Sequence, residues 1–180
     1  MPDSNITKKA LAQAMKDLMA QAPFGKISVG DICRACGMNR KSFYYHFKDK
    51  YDLVNWIFYT EFIESVRGAE FPSGWDFLTS MCGYFYRERA FYRCAMEIEG
   101  QNSFREYFYE VMSPFLAAFA EDMFTSTEDK RFYITFLGDA LLASLVRWLS
   151  EGIQTTAEDY VQVLRRVLTT LARHIRAQDG

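Results

Sequence analysis

Apolar positions recur every three to four residues along most of this chain, the period of an amphipathic α-helix. Leu11, Met15, Leu18 and Met19 form the first stripe, with Lys8, Lys9 and Lys16 off it, and Pro23-Phe24-Gly25 closes that helix. Ser28-Val-Gly-Asp31 reads as an N-cap with an acid at the third helical position. The short helix it opens turns Val29, Ile32, Cys33 and Cys36 inward, and Gly37 stops it. Asn39 caps a third helix that carries Phe43 and Phe47 one turn apart. Asp49 starts a longer one striped by Leu53, Trp56, Ile57, Tyr59, Phe62, Ile63 and Val66.

After a linker ending at Pro72-Ser-Gly, the pattern predicts helices from about Trp75 to Arg87 and Ala90 to Glu97. Ser103-Phe-Arg-Glu106 is a capping box opening a helix to about Phe124, with a kink expected at Pro114. Another helix is expected from Glu128 to Ser150, stopped near Gly152. A further capping box, Thr155-Thr-Ala-Glu158, starts a last helix to about Arg176. There is no strand alternation and no internal repeat. The expectation is an all-α chain: an N-terminal three-helix helix-turn-helix domain over residues 1–50, a connecting helix at about 50–68, and a helical bundle over 69–180 that such a head does not need for itself, which leaves it ligand-binding regulation, dimerisation or both.

Composition changes this picture little, and charge changes it more. The net charge of −2 hides an asymmetry: residues 1–50 hold nine Lys and Arg against four acids, a net of +5, which leaves −7 for the rest. A basic head on an acidic body suits a polyanion at the head. No signal peptide is read, and the longest uninterrupted apolar run, Phe115 to Ala120, is far short of the about 20 residues of a membrane span. A cytoplasmic protein with free thiols and no membrane partner is expected.

Cys33-Arg-Ala-Cys36 is a CxxC, but Cys82 and Cys94 are distant and unpaired in spacing, so packing is favoured over zinc or redox work. The two histidines, His46 and His174, belong to no metal-like cluster, and no Gly-rich phosphate loop occurs. Glu97 and Glu99 point to different helix faces. No enzyme chemistry, metal or cofactor is expected.

Two short helices joined by a turn at Gly37 have helix-turn-helix dimensions, with Phe43 and Phe47 on the inner face of the second. Its outer face and flanks carry the candidate DNA-binding set: Ser28, Arg40, Lys41, Ser42, Tyr44, Tyr45, His46 and Lys50. A second helix of this kind enters the major groove N-terminus first. Arg40 suits a bidentate grip on guanine O6 and N7. Ser42, Tyr44 and His46 suit phosphate oxygens, which fix register without reading sequence. Tyr45 suits either the backbone or packing against the first helix. Lys50 adds an ammonium at the next helix start.

Residues from about Ile6 to Phe62 resemble the DNA-binding domain of the TetR family of bacterial transcriptional regulators. The likeness is closest over Lys26 to Leu53, and most specific at Tyr44-Tyr45-His46-Phe47 followed by Lys50 and Leu53. It implies a sequence-specific regulator, usually a repressor, acting as a homodimer on a double-stranded DNA operator, with Arg40, Lys41, Ser42, Tyr44, Tyr45, His46 and Lys50 at matching positions. It also implies control by a small-molecule effector or a partner protein bound at the body. A narrower likeness, in Ile6-Thr-Lys-Lys-Ala-Leu-Ala, Asp52-Leu-Val-Asn-Trp-Ile and Phe91 to Phe104, is to regulators of dihydroxyacetone kinase operons. The rival expectation is an interaction module whose helix-turn-helix no longer binds DNA.

The body is dense in aromatics. Tyr84, Tyr92, Glu97, Asn102 and Tyr107 are the candidate effector-binding residues, on the argument that phenols inside a bundle need partners. Phe136, Ala140, Leu141, Trp148, Leu164 and Leu168, on the last two helices, are the candidate dimer-interface residues.

Overall fold

A computed structural model describes residues 2–120, 126–150 and 155–178, and every regular element among the described residues is helical. The head comprises α1 (Pro2–Met19), a 3-10 turn (Phe24–Lys26), α2 (Val29–Ala35) and α3 (Arg40–His46). A connecting rod follows, made of α4 (Lys50–Phe58), a π-helical stretch (Tyr59–Ile63) and α5 (Glu64–Val66). The body contains α6 (Gly74–Arg87), α7 (Arg89–Ala95), α8 (Phe104–Ala120), α9 (Thr127–Ser150) and α10 (Ala157–Gln178). Phe124 and the expected stop at Gly152 lie outside the described residues.

Local chemistry fixes most helix ends. Ser28 and Asp31 form a reciprocal capping box, Asn39 Oδ1 accepts from Ser42 N at 2.8 Å, and Asp49 Oδ1 accepts from Tyr51 N and Asp52 N. Gly37 sits at φ 69, where Met38 N donates to Cys33 O (2.8 Å) and Gly37 N to Arg34 O (3.3 Å). That pair is the Schellman stop, and it sets the turn between α2 and α3. The last helix starts one residue later than expected. Its cap is Thr156 with Asp159, because the Thr155 carbonyl is taken by the Trp148 indole at 3.2 Å. Helix α8 runs through Pro114.

The buried apolar residues make one contiguous cluster from Leu11 to Val161. Phe58, wholly buried at the end of α4, is its hinge point: Phe62, Phe85 and Phe104 lie 5.6, 5.6 and 5.4 Å from it, ring to ring. Head and body therefore share a core through the rod. In the body, α6 packs on α10 and α8 on α9. Gly138 permits the second contact, since a Cβ there would lie 2.7 Å from the Tyr109 ring.

By length and composition alone α9 would pass for a membrane-crossing helix. Its apolar surplus has another account. One side buries Gly138, Leu145, Trp148 and Leu149, and the other exposes Phe132 and Phe136.

Candidate functional site

Helix α3 is held against the head by one face only. Phe43 and Phe47 are buried, Phe47 meeting Trp56 edge-on at 5.6 Å. The opposite face is open: Arg40 and Lys41 are exposed, Tyr44 is 54% and Tyr45 81% exposed. Tyr45 therefore does not pack under α1, and its ring rests edge-on against His46 at 4.9 Å. An exposed tyrosine pair beside two cations on one short helix offers phenol donors and ammonium or guanidinium groups to a polyanion.

Three of the eight sequence-expected residues have internal hydrogen-bond partners. The Ser28 hydroxyl donates to Asp31 Oδ2 at 2.6 Å, and that bond, with the Ser28 backbone N–H, holds the Asp31 carboxyl below its ordinary range. The Ser42 hydroxyl lies 3.2 Å from Asn39 Oδ1. Lys50 departs furthest from expectation. Its ammonium turns back into the protein, donating to the carbonyls of Phe24 (2.7 Å) and Ile27 (2.8 Å) and lying 4.1 Å above the Phe24 ring. The Phe24 carbonyl also accepts from Ile27 N at 3.1 Å, so the ammonium uses its second lone pair and the Ile27 carbonyl just past the 3-10 turn. Burial pushes the Lys50 pKa down. The ammonium has one N–H left for a phosphate.

The expected effector residues are not gathered in one place. Tyr84 and Tyr92 are buried in the shared core, their hydroxyls 2.8 Å apart, and burial raises both phenol pKa values far above the ordinary range. Glu97 is exposed at the end of α7. Asn102 sits at φ 62 in the loop before α8, on an open polar depression with Arg105, Glu106 and Asp139. Tyr107 faces Phe58.

A mostly apolar space lies elsewhere in the body. A cleft of about 480 Å³ opens between α6, α8, α9 and α10, walled by Trp75, Phe77, Leu78, Met112, Phe115 and Leu141. Among the described residues, Tyr133 and Thr169 are its only hydroxyl-bearing walls. The guanidinium of Arg165 lies 5.8 Å from the Trp75 ring at this end of the body. A smaller inner space of about 20 Å³, lined by Cys82, Gly138 and Leu164, shares Leu78, Met112 and Leu141 with it. Sequence reasoning missed this cleft because its walls are ordinary apolar helix positions; only packing leaves the gap.

The expected dimer residues divide. Phe136 (63% exposed) and Ala140 face outward. Leu141, Leu164 and Leu168 line the cleft and inner space, and Trp148 is buried between Tyr86 and Tyr160. The outward face is instead Phe132, Phe136 and Ala140 on α9, with Val163, Val167 and Leu171 on α10 at helical spacing.

Two sequence models match the chain. One, described as bacterial regulatory proteins of the tetR family, covers residues 10–57. The other, described as a transcriptional regulator C-terminal region, covers residues 75–170. A curated relative, the HTH-type dhaKLM operon transcriptional activator DhaS of Lactococcus lactis, is 32% identical over 109 residues, which span 60% of this chain and 57% of the relative. Among solved structures, the dihydroxyacetone kinase operon activator DhaS superposes with a TM-score of 0.65 at 23% identity, covering 96% of this chain and 97% of that one. A TetR transcriptional regulator from Streptococcus agalactiae gives a TM-score of 0.68 at 20% identity, over 90% and 93% of the two chains. At these identities the structures speak for the fold.

Proposed function

The chain belongs to the TetR family of bacterial transcription regulators, and from that premise we propose that two copies read a pseudo-palindromic operator with their α3 helices, under control of an effector seated in the apolar cleft. Members of the family are DNA-binding regulators rather than enzymes. The observation that carries the reading is the open face of α3, where Arg40, Lys41, Tyr44 and Tyr45 stand clear of the protein while Phe43 and Phe47 fix the helix from behind.

Arg40 and Lys41, on the first turn, are placed for base edges, and Tyr44, Tyr45 and His46 for phosphates. Lys50 acts chiefly as a brace for the Phe24–Lys26 turn. Two-fold symmetry supplies the second reading head, and the exposed stripes of α9 and α10 are the proposed contact between copies. The effector class follows from the cleft walls: burying a charge among them costs far more than burying an apolar ring, so an uncharged, mostly apolar molecule is expected. The site of action is the cytoplasm, where the DNA is.

The expected mode is repression. The activator description of the Lactococcus relative makes activation the second reading. A reporter driven by the gene's own upstream region separates them: deletion of this gene raises expression under repression and lowers it under activation. Gel shift with that same DNA tests the primary reading. A protein that leaves it unshifted, while folded and dimeric, supports the interaction-module alternative. For the cleft, the uncharged dye phenylnaphthylamine should gain fluorescence with the native protein, and Leu141→Trp, which fills the gap, should abolish the gain.

A further inference from the structure

A chain of polar groups crosses the seam between head and body. Lys16 of α1, with a side chain 13% exposed, donates to both oxygens of Glu61 (2.6 and 2.8 Å) and reaches Glu88 at 3.1 Å. Tyr84 donates to Glu61 Oε2 at 2.8 Å. A phenol has one proton, so the 2.8 Å contact between Tyr84 and Tyr92 has Tyr92 as donor. The order is Tyr92 to Tyr84 to Glu61, with Lys16 arriving from the other side. Lys16 belongs to the head, Glu61 to the rod, and Tyr84, Glu88 and Tyr92 to the body.

Glu61 stands in the middle of the π-helical stretch Tyr59–Ile63. A π turn carries an extra residue, and such turns concentrate at functional positions. If the stretch relaxed to α-helix, everything beyond it would rotate by about 100° relative to α4. Glu61 would not keep Lys16 and Tyr84 together in that register. Polar pairs at seams of this kind add little stability over apolar packing, but they can fix one arrangement among several. The rest of the seam is mostly apolar, with α1 packed on α7, a Cys94 Sγ contact to Met19 O at 3.7 Å, and the Phe91 ring 5.9 Å from the Lys16 ammonium.

We propose that Lys16, Glu61 and Tyr84 are positioning residues that lock the DNA-reading head at one angle on the body, with the π turn as the element that has two registers. The lock pre-organises α3 for DNA. It rests on the regulator reading above only for the meaning of that angle.

The test uses the full-length protein and a duplex from its own promoter region. Lys16→Met and Glu61→Gln should each weaken binding about tenfold, and the double variant should lose less than the product of the two, because both disturb the same ion pair. Tyr84→Phe keeps the buried ring and should shift affinity the same way by less. It carries the test if a charge variant fails to fold. Amide exchange should show protection lost across α1–α3 and kept in α8. Unchanged affinity in all variants, an additive double variant, or exchange loosened equally in head and body would each overturn the proposal. If the native protein does not bind the duplex, the regulator reading fails, and the exchange pattern alone still decides the lock.

Discussion

At the scale of single residues, Lys50 shows how a side chain of the right type can be committed elsewhere. Its ammonium donates to two carbonyls, one in the 3-10 turn and one just past it. Lys50→Met should therefore cost about 1.5–3 kcal/mol of unfolding free energy in urea, the range for hydrogen bonds to a charged group. Arg40→Ala should leave stability unchanged and relax base preference in a binding-site selection. Cys82, wholly buried, has its thiol pushed from 9.0 to about 12 by burial. The folded chain then holds a proton that the unfolded chain releases, so this contribution is complete below pH 9.0 and is lost as pH rises toward about 12. Thermal unfolding across that alkaline window should fall less steeply in Cys82→Ala than in the native protein. The residue types on α3 were legible because local spacing sets which way they face. The partner of Lys50 was not, since it lies 23 and 26 residues away.

At the scale of elements, caps and stops were readable because they are short-range chemistry: Ser28 with Asp31, Asn39 with Ser42, Gly37 at positive φ. The π turn was harder. The only hint is a five-residue step between the buried Ile57 and Phe62, blurred by Phe58 standing four residues from Phe62. Helix α9 was readable as a helix and ambiguous in facing, since apolar residues circle it and periodicity cannot choose a side. Gly138 shows what the choice requires. A methyl at that position meets Tyr109 at 2.7 Å, so Gly138→Ala should push α8 from α9 and destabilise by about 1–3 kcal/mol. Urea unfolding measures it, and an unchanged midpoint would mean that Tyr109 has room to swing away.

At the scale of the whole molecule, adjacent residues on α10 should behave oppositely. Val167 is 49% exposed on the outward stripe, whereas Leu168 lines the cleft. Val167→Asp should give a folded monomer in sedimentation and cut DNA affinity sharply, while Leu168→Asp should lower the unfolding temperature. A symmetric dimer making about eight phosphate contacts should lose affinity with salt at a log–log slope near −7. A flat titration is incompatible with groove binding by α3. The amino-acid order by itself determined the all-α class, the helix-turn-helix and its outward cations, because helical period and capping are settled within a few residues. Packing in three dimensions decided where Lys50 points, which half of α9 is covered, where the body keeps its gap and how Lys16 meets Glu61. Each of these depends on surfaces brought together from distant parts of the chain, and no local pattern records which surfaces meet.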